Sequence, residues 1–471
     1  MEAPYQNTKE AFFTKDPAFF KTMFRMLLVV ALQNLVAYSV NMADNIMLGS
    51  YSQDALSGAA TVNQIFFVVQ QVALAIGNSL VVLASQYWGE KRVPPIRTLT
   101  GISLKLGAIC SVVIIAACSL FPVPLLKIFS DSPVIIDQGC QYLLLLKWTF
   151  ALFILSNILM SALRSVGTVH ISFSISIVSL IVNIAINYTL IFGRFGFPEM
   201  GIRGAAIGTL TARILEFVIV VIYLWKGDKK LCLFLGDLLS ADRSLRKDYI
   251  KVAAPIMVSQ LLWSISVPMQ TAILGHLSAD AIAANSVATT FYQYLKVIVI
   301  AMCSTSSVII GNSIGKGDMA RIRSDARTLS AIDVLIGLVL GLALILLRDP
   351  LLSMYNLTQS AKEMAQNLIV IMGLIMVGMA YQMPVSVGII QGGGDTSFTL
   401  KMNMISTWLI VMPLSFMAAF WWKWPVEAVV FVIQSDQIFK GIPTFIRFRS
   451  YKWIQKLTSE RVGLRASDAD K

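Results

Sequence analysis

Residues 43–64 read ADNIMLGSYSQDALSGAATVNQ, and residues 269–290 read MQTAILGHLSADAIAANSVATT. Laid over one another without a gap, Leu48 meets Leu274, Gly49 meets Gly275, Ser52 meets Ser278, Asp54 meets Asp280 and Ala55 meets Ala281, at an offset of 226. The same offset sets Gly89 of SQYWGEK on Gly315 of GNSIGKG. With the offset slipped to 227, SALRSVGTVHISF parallels GIIQGGGDTSFTL. A register held across a loop and its two flanking apolar segments marks an internal duplication.

What is duplicated is membrane-spanning. Of the 471 residues 56% are hydrophobic and 14% charged, against about 25% charged in soluble domains, which leaves too little polar surface for a soluble chain of this size. Apolar runs such as LGAICSVVIIAACSLF and IDVLIGLVLGLALILL recur at the length of roughly 20 residues that crosses a bilayer. They number twelve, the first at about 23–49 and the last at 426–447. The expected fold is an all-α polytopic membrane protein, twelve transmembrane helices in two pseudo-symmetric six-helix lobes. The boundaries are a segment 1–22, a first lobe 23–225, a linker 226–249, a second lobe 250–448 and a tail 449–471. An even number of helices per copy keeps both copies in one orientation, so the repeats are parallel. Transporters built this way hold their site between the halves and alternate access by rocking.

The net charge of +12 is not a nucleic-acid footprint, because Lys and Arg concentrate in alternate connections. GEKRVPPIR, KGDKK, RSLRKDYIK and GKGDMARIRSDAR are basic, whereas SYSQDALSG and GHLSADAIA carry no Lys or Arg. The positive-inside rule places the basic connections and both termini in the cytoplasm, in a cell (inner) membrane. The five cysteines (110, 118, 140, 232 and 303) show no metal or redox spacing and read as small hydrophobes. The polar first 20 residues do not form a cleavable signal, so the first helix serves as the targeting signal.

Against this apolar background Asp44 stands out. It lies five residues before Gly49, roughly 7–8 Å down a helix at 1.5 Å per residue, and its repeat partner is Gln270, so the acid belongs to the first half alone. An ionisable group at membrane depth costs about 2.5–3.5 kcal/mol on insertion scales and is ordinarily buried for a task. Asp54, kept as Asp280 in the repeat, reads instead as a solvated cap. In SLIVNIAINYTLIFG, Asn183 and Asn187 are spaced i, i+4 and share a helix face. Two carboxamides in an apolar helix need partners in the bundle, either as interhelical glue or as the polar pocket of Asp44.

MADNIMLG, ASQYWGEK, NIAINYTLIFGRFGFPEMGIRGAAIGT, GGGDT and SADAIAANSVAT together resemble the multidrug and toxic compound extrusion family over nearly the whole chain. The resemblance implies a site in the N-terminal lobe where a proton or sodium ion exchanges with drug, carried here by Asp44, Asn183, Asn187 and Thr209. Some members have an acid where Asn187 stands; others carry acids in helices 7 and 10, where LLWSISVPMQ and YQMPVSVGII have none. Val29 stands where the repeat has Pro255, so a proline-centred bend of the first helix is not available.

Glu216 in TARILEFVIVV either faces a substrate cavity or pairs with Arg213, three residues earlier. Trp263, Tyr292, Tyr381 and Gln382 are cavity candidates of the second half. Asp333 and Asp436 are expected to serve structure, Asp436 by pairing with Lys440 at i, i+4. Lys147 and Lys296 snorkel or pair. GGGDT lacks the Lys-Ser/Thr of a phosphate-binding loop, so no ATP-hydrolysing machinery is legible. His170 and His276 show no ligand or nucleophile spacing, which argues against an intramembrane enzyme. The expected function is a secondary antiporter that exports amphipathic, mostly cationic small molecules in exchange for H⁺, the preferred ion, or Na⁺ held at Asp44 and Asn187. No cofactor, no nucleic acid and no partner chain are expected, the protein acting as a monomer among membrane lipids. The alternative is a flippase for a lipid-linked saccharide, whose phosphates call for Arg and Lys in the cavity.

Overall fold

The computed structural model describes residues 12–233, 236, 242–275, 279–353, 355 and 358–458, with the backbone alone at 274–275 and 279–283. His276 and the side chain of Asp280 thus lie outside the described residues, as do 1–11, most of 234–241 and 459–471. Among the described residues eleven helices are long and apolar enough to span a membrane. In chain order they are α1 (Pro17–Tyr51), α2 (Gln53–Gly89), α3 (Val93–Leu120), α4 (Pro133–Ser165), α5 (His170–Ile191) and α6 (Ile202–Gly227), then α7 (Arg243–Gly275), α8 (Ala279–Lys316), α9 (Met319–Leu346), α10 (Gln359–Ile390) and α11 (Thr396–Trp421). The twelfth expected span begins with α12 (Val426–Gln434). It continues as two further short helices through Ser435 and Lys440, which keep right-handed helical backbone, so it is a jointed rod and not one unbroken helix.

The sequence explains where the helices begin and bend. Asp318 accepts from Arg321 N and Thr358 from Ala361 N, capping α9 and α10. The GGGDT stretch is a turn: Gly394 has φ +107°, which favours glycine, and Asp395 then caps α11 through Phe398 N. Pro384, which has no N–H to give, opens the π-helical end of α10 at Pro384–Ile390.

By contacts the described chain divides into two compact units. One holds Leu32–Ala84 and Lys91–Ala253. There α2 meets α4 where a Cβ on Gly77 would stand 2.9 Å from Asn157 Oδ1, and α3 meets α4 where one on Gly107 would stand 3.0 Å from Ile154. Such small-residue seams let helices approach where lipid supplies no hydrophobic drive between them.

The other unit holds the described residues of Met1–Ala31, Ser85–Glu90 and Ala254–Lys471. One of its cores joins Phe19 and Met23 to Met302, Ile310, Leu329 and Ile389, closed by Phe448 and Trp453. Thr14 N donates to Thr328 Oγ1 (2.9 Å), and Arg321 pairs with Asp16 (2.8 Å). The Ala18 N–H and the Arg321 guanidinium hold the Asp16 carboxyl below the usual carboxylate range. The last five residues of α2 are part of this unit: a Cβ on Gly89 would stand 2.9 Å from Gly315 Cα, bringing the two repeat-related glycines together. Gln86 Nε2 donates to Gln455 O (3.1 Å), and Gln86 Oε1 accepts from Leu457 N (2.9 Å), tying the end of the described chain to α2.

Candidate functional site

α1 positions Asp44 two turns before its end, with only 8% of the residue exposed. α5 brings Asn183 and Asn187 to the same place on its buried face, as their i, i+4 spacing requires. Asn187 Nδ2 donates to Asp44 Oδ1 at 2.6 Å and to Asn183 Oδ1 at 3.3 Å. Asn183 Nδ2 in turn donates to Thr209 Oγ1 of α6 at 3.3 Å. Thr209 and, from α4, Tyr142 also lie within reach of the Asp44 carboxylate. The four residues singled out in the sequence therefore form one chain of hydrogen bonds.

The direction of those bonds fixes what the cluster presents. Asn187 Nδ2 has two oxygen acceptors before it, so the amide must turn its nitrogen, not its oxygen, toward Asp44. Asn187 Oδ1 faces away and has no hydrogen-bond partner although it is buried. In this arrangement Asp44 and Asn187 form a carboxylate and its donor. Among the described residues there is no group of three or more His, Cys, Asp or Glu suited to a metal.

One residue of the site was not legible beforehand. A Cβ on Gly208 of α6 would overlap Asn187 Oδ1 and stand 3.0 Å from its Cγ. The missing side chain at 208 is what admits the Asn187 amide. A glycine in an apolar helix carries no mark of the side chain it makes room for; its place one residue before Thr209 was the available signal.

The cavity candidates do not share one environment. Glu216 has the local partner its spacing predicts: Arg213 Nη1 reaches its Oε2 at 2.6 Å, and Ser179 Oγ donates to it at 3.4 Å. Arg213 also lies over the Phe153 ring, 5.0 Å from its centroid, and its charge acts on Asp44. Tyr292 is a core residue, 5% exposed, with its hydroxyl on Met379 Sδ at 3.0 Å. Gln382 is held by Gln437 at 2.7 Å, and Trp263 lies under Lys296 at 5.2 Å. Tyr381 keeps a buried hydroxyl, with Ser330 of α9 beside it. Asp436 pairs with Lys440 at 2.6 Å as its spacing predicts, and Lys147 donates to Ser119 at 2.8 Å.

Removing Arg213 should strand Glu216. We expect Arg213→Ala to lower stability by roughly 3–5 kcal/mol, the usual result of leaving a buried charge unpaired. The double variant with Glu216→Ala should recover most of that loss. Thermal unfolding in detergent, read for both, checks the pair.

A polar cleft of about 420 Å³, lined by Tyr51, Gln138, Gln141 and Glu199 among others, opens where α1 ends and does not include Asp44.

Comparison with known proteins agrees with the duplicated plan. The MatE family model matches residues 30–189 and again 255–417, one copy in each half. The probable multidrug resistance protein NorM of Thermotoga maritima is 25% identical over 449 residues, covering 95% of this chain and 96% of that protein. The probable multidrug resistance protein YoeA of Bacillus subtilis is 22% identical, covering 86% and 88%. Among solved structures, MATE in the straight conformation superposes with a TM-score of 0.83 at 18% identity, covering 93% of this chain and 98% of that one. A transporter of the MOP superfamily from Pyrococcus furiosus gives 0.82 at 18% identity, with coverage of 93% and 98%. A twelve-segment helical chain with two copies of one domain model, aligned end to end with such relatives, is a multi-pass membrane transporter and not an enzyme: it belongs to the MatE family.

Proposed function

We propose that the protein is a secondary antiporter that exports amphipathic, mostly cationic small molecules in exchange for inward H⁺, with Asp44 as the group that both compete for. The observation that carries this is the bonding of Asp44. It is buried, bound to a neutral donor and not to a paired base, and confined to the unit of Leu32–Ala84 and Lys91–Ala253. The names of the relatives support drug extrusion. The basic alternate connections support a cell-membrane orientation with both termini inside.

The exchange has a chemical route in this cluster. While Asp44 is ionised, Asn187 offers it an N–H. A proton placed on Asp44 Oδ1 turns that atom into a donor facing the Asn187 N–H, while Oδ2 keeps its acceptor capacity. The Asn187 amide then turns so that Oδ1, now unpartnered, accepts from the acid. That turn withdraws Nδ2 from Asn183 Oδ1 and breaks the link toward Thr209 on α6. A charge change at one atom thus becomes a change in how α1, α5 and α6 are tied, the kind of two-state element that alternating access requires. The nitrogen-first placement of Asn187 favours H⁺ over Na⁺ for the same reason.

Energetics favour coupling. Moving one positive charge out of an inside-negative cell costs about 2.3 kcal/mol per 100 mV, and one cation entering offsets it. The test is ethidium efflux from proteoliposomes with the pH and Na⁺ gradients imposed separately. Efflux should follow the pH step; efflux that persists with both gradients collapsed would refute coupling. A lipid flippase would complement a flippase-deficient strain without lowering intracellular dye. The pairing of Arg213 with Glu216 leaves that basic side chain committed, which weighs against a phosphate-binding cavity there.

A further inference from the structure

Seven acids are buried among the described residues, and six have fixed partners. Asp44 has Asn187, Glu216 has Arg213, and Asp228 has the backbone N–H groups of Lys230, Leu231 and Cys232. Asp325 has Thr14, Ser313 and Arg321, Asp395 has Arg447, and Asp436 has Lys440 and Gln437. The seventh, Asp333, is 1% exposed, and neither Oδ1 nor Oδ2 has a hydrogen-bond partner. The sequence reading assigned it a structural role; no pairing in the structure supplies one.

Its place in the fold excludes an easy escape to water. Asp333 lies in the middle of α9, the most apolar of the spanning helices. On the opposite face of the helix Leu335, Leu338, Val339, Leu342 and Leu346 are exposed. The acid shares its own face with Gly337 and Gly341, at which α9 presses against α10: a Cβ on Gly337 would stand 2.8 Å from Ala380 Cβ. Asp333, one turn earlier, is thereby set toward Tyr381 of α10, whose buried hydroxyl has Ser330 of α9 as its neighbour. From α8 Cys303, also buried, lies within electrostatic range of it. Ser306, one turn beyond Cys303 and packed at Gly388, holds a buried hydroxyl without a partner. These are the titratable groups around the acid. Lys296 on α8 lies beyond Cys303 and is engaged with the Trp263 ring, and the nearby α1 residues Phe19 and Met23 are apolar.

We propose that Asp333 is a second proton-binding carboxylate of this protein, seated in the unit of Ala254–Lys471 and separate from Asp44. A carboxylate held in an apolar interior with no donor and no cation is unfavourable by several kcal/mol, so its charge is removed by a proton whenever the site is closed. Ionisation requires a donor, and Tyr381 is the one in place to turn toward it.

As a coupling group Asp333 rests on the antiport reading; as a titrating acid it does not. The experiment therefore measures protons apart from transport. Infrared difference spectra of the liposome-reconstituted protein, recorded across a pH step, should show two protonated-carboxyl bands that come and go. Asp333→Asn should delete one of them and Asp44→Asn the other, while Asp333→Glu should keep the first band at a shifted position. In the same preparations Asp333→Asn should bind drug as the unaltered protein does and lower the count of protons moved per drug by about one. A spectrum unchanged by Asp333→Asn overturns the proposal, and so does a band of Asp333 that never titrates. If Asp333→Asn proves too unstable to purify, the shift of the band in Asp333→Glu decides. Transport surviving in Asp44→Asn while the Asp333 band still titrates would refute the Asp44 mechanism and leave this site standing.

Discussion

Asp44→Asn will leave the protein folded and purifiable but will cut gradient-driven efflux deeply. The substituted amide has nearly the shape of the acid and still meets Asn187, 2.6 Å away across 143 residues of chain. What it loses is the ability to exist in two charge states. With coupling free energies between two sites typically of 1–3 kcal/mol, the expected fall in pH-driven drug efflux is about 5–150-fold. The proton released on binding a cationic drug should vanish with it. Drug-evoked proton release from detergent-solubilised protein, measured beside efflux from vesicles with an imposed pH step, checks both. Full activity in the variant would remove Asp44 from the mechanism.

The second large effect is expected at a residue with no side chain. Gly208→Ala places a methyl group on the space held by the Asn187 amide, and backbone of α5 stands 3.2 Å away, so the amide and not the helix must yield. Overpacking of this kind costs about 1–3 kcal/mol. Here it also takes the donor from Asp44, so efflux should fall nearly as far as in Asp44→Asn. Two residues in contact couple, and the coupling is measurable. Asn187→Ala alone should lower both stability and efflux. Added to Gly208→Ala it should restore stability, because the methyl then has room, and should not restore efflux. A simple sum of the two stability losses would show that the glycine serves something other than the Asn187 amide.

The apolar runs and the repeat at offset 226 revealed twelve segments and their pairing into halves, because membrane length and duplication are properties of the chain itself. The joints at Ser435 and Lys440 and the π-helical end of α10 were hidden, since they depend on local hydrogen bonding that an apolar run does not record. In the site, the shared face of Asn183 and Asn187 followed from spacing, whereas a pocket shared with Asp44 was one of two readings the residues left open, and the family resemblance pointed to it. Arg213 and Glu216 were readable as a pair because three residues separate them. Gly208 and Asp333 were not, because one acts through an absent side chain and the other is distinguished by the partners it lacks. Neither property is local to the sequence.

Where the end of the described chain meets α2, Gln86 grips main-chain atoms alone: the carbonyl of Gln455 and the N–H of Leu457. Gln455 N in turn donates to Gly393 O at 2.9 Å. A grip on backbone is blind to the side chains at those positions, while Trp453, wholly buried and stacked on Phe448, is fixed by shape. For anyone attaching a fluorophore to follow this transporter at work, the two neighbours are therefore opposites. A dye at Gln455 rides on a segment held by its main chain, whereas a change at Trp453 unseats that segment before any measurement begins.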